Sequence, residues 1–480
     1  MPSLYRSFRS VRADLATGAL TCRQLVEQYL TRITDHQHLN AFTEVYADEA
    51  RQRADELDAR RLADPASIGR LHGMVIGIKD VLSYAGHGLR AGSHILDGFE
   101  AQFTATAVER LLAAGAIIIG RQNCDEFAMG SANETSAFGP VRNAANPDRV
   151  PGGSSGGSAV AVQAGLCLAS IGSDTGGSVR QPAAFCGVVG LKPTYGRISR
   201  WGLIAYASSF DCIGPIANDA YDAALLLEVM AGPDAFDNTV SQRSVDSYST
   251  ATLPDRPLRI AYLADGVDSE GVAPAIRQAT EAAIERLRSQ GHRVEPVSLS
   301  LLKHLLPTYY ILTTAEASSN LSRFDGVRYG HRTQAPVADL VAMYKQSRTE
   351  GFGPEVRRRI LLGTFALSAS YYDAYYTKAQ QVRRLVRDET DRIFADYDLL
   401  LMPTTPTTAF RLGEENDDPV AAYLADIFTV QANVTGYPAI SVPNGTDLEG
   451  LPIGLQLLAP PFQEGLLVAT ANALEAPVAA

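Results

Sequence analysis

Residues 152–189 read GGSSGGSAVAVQAGLCLASIGSDTGGSVRQPAAFCGVV, and no other part of the chain constrains the architecture so tightly. Two small-residue loops, Gly152-Gly153-Ser154-Ser155-Gly156-Gly157-Ser158 and Asp174-Thr175-Gly176-Gly177-Ser178, alternate here with apolar runs. The pattern implies a helix over 158–164 opening from the first loop, a strand over 167–171, a helix over 178–185, and a strand at 188–189. Upstream the alternation continues: Val75-Ile76-Gly77-Ile78-Lys79 reads as a buried strand, 105–114 as a helix ended by Gly115, and Ala116-Ile117-Ile118-Ile119 as the next strand. Strands alternating with helices give an α/β fold, a mainly parallel mixed sheet covered by helices on both faces. Its core is expected over 70–220, completed by strands at 258–262 and 398–402.

Thr21-Cys22-Arg23-Gln24 has capping-box form, and Leu25, Tyr29, Leu30 and Ile33 follow at helical spacing, so 21–34 is expected as a helix. Residues 48–63 read as a second, mostly solvated helix. The chain thus divides into an N-terminal helical layer, 1–65, and an α/β domain, 66–480, within which 301–397 is helical and polar. The run Arg357-Arg358-Arg359 reads as a solvated face, and 232–253, rich in Ser, Asp and Thr, as a linker.

With 480 residues, 46% of them hydrophobic, the chain can bury a large core. Its net charge of -11 argues against a broad nucleic-acid footprint, so no DNA partner is expected and any RNA would be held by another protein. The lysines are Lys79, Lys192, Lys303, Lys345 and Lys378, the other basic residues being arginines, so a lysine inside an apolar run carries information. The five cysteines are scattered without Cys-x-x-Cys or metal spacing and read as small core residues in a reducing compartment. Behind Arg6, Arg9 and Arg12 no apolar segment follows, so a cytoplasmic location is expected rather than a secretory leader. The uncharged stretch 151–173 is broken by glycines, and no membrane span is expected.

Three chemistries compete for the glycine-serine loops. Gly152-Gly153-Ser154-Ser155-Gly156 fits a nucleophile elbow, but Asn146-Pro147-Asp148-Arg149-Val150-Pro151 cannot be the strand that an elbow follows, and no histidine comes after His331 to complete a triad. A phosphate-binding loop would need a Gly-Lys-Ser/Thr that is absent. Ser300-Leu301-Leu302-Lys303 matches Ser-x-x-Lys without companion motifs. The third candidate is Lys79, closing an apolar strand: desolvation disfavours an ammonium, so a buried Lys79 could be neutral and act as a base. A lysine reaching out to solvent, or paired with Asp80, explains the pattern equally well.

The segment from Lys79-Asp80 through Gly152–Ser158 to Gly172-Ser173-Asp174-Thr175-Gly176-Gly177-Ser178-Val179-Arg180-Gln181-Pro182-Ala183 resembles the amidase signature family. Asn123-Cys124-Asp125-Glu126-Phe127-Ala128-Met129-Gly130-Ser131, Glu316-Ala317-Ser318-Ser319-Asn320-Leu321 and Tyr371-Tyr372-Asp373-Ala374-Tyr375-Tyr376 narrow the likeness to the A subunits of glutamyl-tRNA(Gln)/aspartyl-tRNA(Asn) amidotransferases and extend it into the more variable helical part, 301–397. The resemblance implies the amidase signature fold and a Ser-Ser-Lys triad: Ser178 as nucleophile, Ser154 beside a cis peptide as bridge, and Lys79 as base. It implies an oxyanion hole from the backbone N–H groups of Thr175, Gly176, Gly177 and Ser178, with Arg358 on the α-carboxylate of glutamine, Asp426 on its α-amino group and Tyr309 nearby. The implied reaction is glutamine hydrolysis, with ammonia passed on to convert Glu-tRNA(Gln), and Asp-tRNA(Asn) where that is served. The implied assembly is a heterotrimer with B and C subunits, in which the B subunit holds aminoacyl-tRNA, ATP and Mg2+ and this chain holds no cofactor. A stand-alone amidase and a non-catalytic scaffold are the rival readings. Cys124 stands where many relatives have an apolar residue, and 411–419 is unusually acidic.

Overall fold

The computed structural model describes residues 5–414 and 424–475, so much of the acidic segment 411–419 lies outside the described residues. Among the described residues one sheet gathers β1 (Phe42–Val45), β2 (Val75–Lys79), β3 (Ile117–Gln122), β4 (Ala169–Asp174), β5 (Val189–Lys192), β6 (Cys212–Ala217), β7 (Arg259–Leu263), β8 (Arg293–Val297), β9 (Leu399–Pro403), β10 (Ala439–Thr446) and β11 (Pro452–Leu458). Their spatial order is β1-β3-β2-β4-β6-β5-β10-β11-β9-β7-β8. Every residue of β2, β3, β4 and β9 is buried, which is why these segments read as continuous apolar runs.

The sheet is mixed, with helices packed against it. Parallel pairing is confined to two blocks, β2 with β3 and β4, and β7 with β8 and β9. The other neighbours run antiparallel. The parallel share is smaller than the alternation implies because β6 follows a long helix-free loop and β10 and β11 form a hairpin, connections that need no crossover helix.

Helices α1 (Phe8–Thr17), α2 (Cys22–Asp35) and α3 (Ala47–Ala63) lie in the N-terminal stretch, which also supplies β1 to the sheet edge beside β3 and so is not purely helical. The capping box of α2 is present: Gln24 N–H donates to the Thr21 hydroxyl at 3.0 Å, and Thr21 N–H donates to Gln24 Oε1 at 3.0 Å. Phe8, Val11, Leu25 and Tyr29 share one apolar core with Val75, Ile117 and Ile171. Helix α4 (Thr106–Ala113) leads into β3, α5 (Gly156–Gln163) opens from the glycine-serine loop, and α6 (Arg180–Cys186) follows the second loop. The stretch 232–253 is strapped to the body rather than hanging as a linker: Tyr248 is buried and its hydroxyl accepts from Arg197 Nε at 2.6 Å.

A second apolar core lies beneath the helices Leu302–Asn320, Leu340–Gly351, Pro354–Ala366 and Lys378–Asp396. Among the described residues no helix is long and apolar enough to cross a membrane.

Candidate active site

Lys79 ends β2 completely buried, and its Nζ donates to Ser154 Oγ at 2.7 Å and to Ser173 Oγ at 3.0 Å. Asp80 does not pair with it. That carboxylate accepts from Arg90 N–H and Gly92 N–H, both at 3.1 Å, and faces Arg121 at 3.5 Å. Burial brings the Lys79 amine down to about 8, against the opposing influence of Cys124, Asp125, Asp174 and Asp211. Neither a solvent-seeking nor an Asp80-paired lysine describes this residue.

Ser154 follows a cis Gly153–Ser154 peptide at the mouth of α5. Its carbonyl accepts from Asp125 N–H at 3.2 Å, and Asp125 in turn gathers Asn133 N–H at 2.9 Å and the Thr135 hydroxyl at 2.8 Å. The second loop is tied to the first through Ser155 N–H, which donates to the Ser178 carbonyl at 3.2 Å. Lys79 and Ser154, 75 residues apart, are thus hydrogen-bonded to each other, and the backbone of Ser178 is tied to Ser155, the residue after Ser154. Ser178 is 8% exposed, so its neighbourhood is reachable while Lys79 and Ser154 are not.

The loop that carries Ser178 is fixed from below by Asp174. This carboxylate accepts from Gly177 N–H at 2.9 Å, Val179 N–H at 3.2 Å, and Arg180 Nε and Nη2, each at 3.0 Å. Burial opposes ionisation of Asp174, but the Arg180 guanidinium outweighs it and holds the group at about 2. The Gly177 amide is therefore engaged, whereas the N–H groups of Thr175, Gly176 and Ser178 have no protein acceptor among the described residues. Glycine is required here for space and for backbone shape. A Cβ on Gly176 would overlap the Tyr309 ring, and one on Gly177, at φ +133°, would overlap Thr429. The Gly176 carbonyl accepts from Thr429 Oγ1 at 2.6 Å.

Beyond this loop lies a group of buried polar side chains. Asp426 is buried and accepts from the Ser131 hydroxyl at 2.7 Å and the Tyr310 hydroxyl at 3.3 Å. Burial pushes it up to about 7, against the Ser131 hydrogen bond and the nearby Arg359 charge. Tyr309 is buried against Gly176. Arg358 is placed elsewhere: its side chain is 47% exposed and paired with Glu355 on its own helix. The adjacent Arg359 is the buried one. Its Nε donates to Glu355 Oε1 at 2.8 Å, its Nη1 donates to the Tyr206 hydroxyl at 2.7 Å, and its guanidinium lies 5.3 Å from the Tyr310 ring. One residue is about 100° of helix, enough to exchange pocket for solvent. The signal is in the sequence: Val356, Arg359, Gly363 and Ala366 share one helical face and all are buried.

Ser131 and Tyr310 contact Asp426, Ser173 contacts Lys79, Tyr206 contacts Arg359, Asp211 contacts Thr175 and Thr429 contacts Gly176, and sequence reading alone does not single these neighbours out. All five cysteines are buried thiols without disulfides, and among the described residues no group of three or more His, Cys, Asp or Glu could hold a metal ion.

The Amidase family profile matches residues 24–468. The chain is similar to the A subunit of glutamyl-tRNA(Gln) amidotransferase from Koribacter versatilis, 52% identical over 474 residues with 98% of each chain covered. The protein of the same name from Acidobacterium capsulatum is 51% identical over 472 residues, again with 98% of each covered. Among solved structures it is similar to the A subunit of glutamyl-tRNA(Gln) amidotransferase from Thermotoga maritima, with a TM-score of 0.77, 39% identity, and 95% of this chain and 94% of that one covered. With its fold, its lysine-serine cluster and near full-length likeness in agreement, the chain belongs to the amidase signature family.

Proposed function

We propose that this chain is the glutamine-hydrolysing A subunit of a tRNA-dependent amidotransferase, working in the cytoplasm through a Lys79-Ser154-Ser178 relay. The observation that carries the chemistry is the buried Lys79 amine, brought to about 8 and hydrogen-bonded to Ser154 at 2.7 Å. A neutral Lys79 accepts the Ser154 proton as Ser154 takes the proton of Ser178, whose oxygen attacks the side-chain carbonyl of glutamine. The amides of Thr175, Gly176 and Ser178 stabilise the resulting oxyanion. Collapse returns a proton along the relay to the leaving nitrogen, ammonia departs, and a glutamyl ester remains on Ser178. Water, deprotonated by the same relay, then releases glutamate.

Selectivity for free glutamine calls for a cation on its carboxylate and an anion on its amine. Buried Arg359, in place of Arg358, and Asp426 supply them in this reading, with Tyr309 and Tyr310 closing the pocket. The near full-length likeness to the A subunits supports a role beside B and C subunits, where aminoacyl-tRNA, ATP and Mg2+ would be handled by the B subunit. Exposed Leu361, Leu362, Phe365, Tyr371 and Tyr375 are the kind of surface that a chain working in a complex carries.

Ser178→Ala is expected to abolish transamidation supported by glutamine while leaving that supported by ammonia intact. Equal loss with both nitrogen donors would indicate a broken assembly instead. Glutamine hydrolysis indifferent to tRNA, ATP and partner proteins would favour an amidase acting alone.

A further inference from the structure

Besides its ion pair with Glu355, Arg359 is held by a chain of hydroxyls that all point one way. Arg359 Nη1 donates to the Tyr206 hydroxyl at 2.7 Å, Tyr206 donates to Thr313 Oγ1 at 3.1 Å, and Thr313 donates to the Tyr309 carbonyl at 2.8 Å. Because the Tyr206 proton is directed at Thr313, its oxygen lone pairs are left facing the guanidinium. Tyr206 and Thr313 are both buried, so water is a poor substitute for either partner.

The backbone of Tyr206 is anchored to the other half of the site. Asp211 accepts from Tyr206 N–H at 3.1 Å, Ala207 N–H at 3.2 Å and the Thr175 hydroxyl at 2.7 Å. Thr175 begins the loop whose amides face the reacting carbonyl in the function proposed above. One short segment, 206–211, therefore touches the arginine through a side chain and the oxyanion loop through a carboxylate. The distance between the carboxylate-binding cation and the oxyanion amides is fixed by this segment rather than by the helix Pro354–Ala366 alone.

Resting on that function, we propose that Tyr206 is the positioning residue that gives the site its selectivity for an amide bearing an α-carboxylate, by holding Arg359 in register with the Thr175–Ser178 loop. Tyr206 itself touches no substrate. Its loss would leave the relay in place and let the guanidinium turn away from the position where a substrate carboxylate sits.

The test compares three amides on the full-length chain with its partner proteins: glutamine, glutaramic acid, which lacks the amine, and 4-aminobutanamide, which lacks the carboxylate. Tyr206→Phe should raise KM for glutamine and glutaramic acid about tenfold, the scale of one hydrogen bond to a charged group, with kcat retained. Hydrolysis of 4-aminobutanamide should be unchanged. Thr313→Val, which removes the acceptor that orients the Tyr206 hydroxyl together with the Thr313 donation to the Tyr309 carbonyl, should shift the same ratio in the same direction by a smaller factor. A merely structural role would depress kcat/KM for all three amides together, and that result, or an unchanged glutamine KM in Tyr206→Phe, would overturn the proposal. If the unaltered protein fails to prefer glutamine over 4-aminobutanamide, the glutamine reading itself falls, and this inference with it.

Discussion

Lys79 is a buried amine whose nearest partners are two hydroxyls, Ser154 and Ser173, rather than a carboxylate. An ammonium in that position has lost water without gaining an ion pair, and the result is an amine at about 8 instead of the usual 10.5. The consequence for rate has a definite sign. Below about 8 Lys79 is protonated and cannot take the Ser154 proton, so kcat/KM for glutamine should fall roughly tenfold per pH unit and level off above. Below about 7 the fall should steepen if Asp426 holds the substrate amine as proposed, because it then also loses its charge. Steady-state kinetics between pH 6 and 9 would check this, and a flat profile would remove Lys79 as the base. From sequence alone Lys79 is undecided, because an apolar strand with a terminal lysine looks the same whether the amine turns inward or outward. The contacts of Asp80 with Arg90, Gly92 and Arg121 separate the two cases, and those partners come from segments that a linear pattern does not bring together.

At the scale of elements, the helix Pro354–Ala366 joins the variable half of the chain to the glycine-serine core. Arg359 engages Tyr206 from its middle, and Glu126, from the loop beside Asp125, accepts from Gly353 N–H at its start, at 2.9 and 3.1 Å. Glu126 also accepts from the Ser93 hydroxyl and is buried. Burial raises it to about 7, against the hydrogen bonds from Ser93 and Gly353. For a carboxyl raised in the folded state, the stabilising contribution is full below its unfolded value near 4.5 and is lost as pH rises through about 7. Glu126→Gln keeps an acceptor for Gly353 and removes the titration. Melting curves at pH 6 and pH 8 should therefore show a smaller loss of Tm in Glu126→Gln than in the parent chain; an equal loss would mean that Glu126 does not titrate in this range. The same helix shows where reading fails. Three arginines in succession fix neither which one is buried nor which side the helix presents, whereas the spacing of Val356, Arg359, Gly363 and Ala366 does both.

Across the whole molecule, the elements legible in advance are those whose pattern is local. The strand Val75–Lys79, the capped helix Cys22–Asp35 and the strand-helix alternation through the two glycine loops follow from periodicity and turn chemistry. Most of the strands left out carry residues that count against strands, β6 containing Gly214 and Pro215 and β10 containing Pro443, whereas the four-residue β1 is simply short. Strands β6 and β10 pair in the middle of the sheet because long-range burial outweighs local preference, Pro215 lying opposite Ile171 and Pro443 opposite Gly454. The Ser173 contact to Lys79 and the Tyr206 contact to Arg359 are illegible for a related reason, since each depends on two segments meeting in three dimensions. The relay proposed above nevertheless concerns three side chains, a neutral Lys79 amine that would draw a proton through Ser154 from Ser178. It is tested most directly by quenching glutamine turnover in acid and mapping the covalently modified peptide. The account requires a glutamyl ester on Ser178, reduced in the Lys79→Ala chain; an adduct on Ser154 or on any other side chain would contradict it.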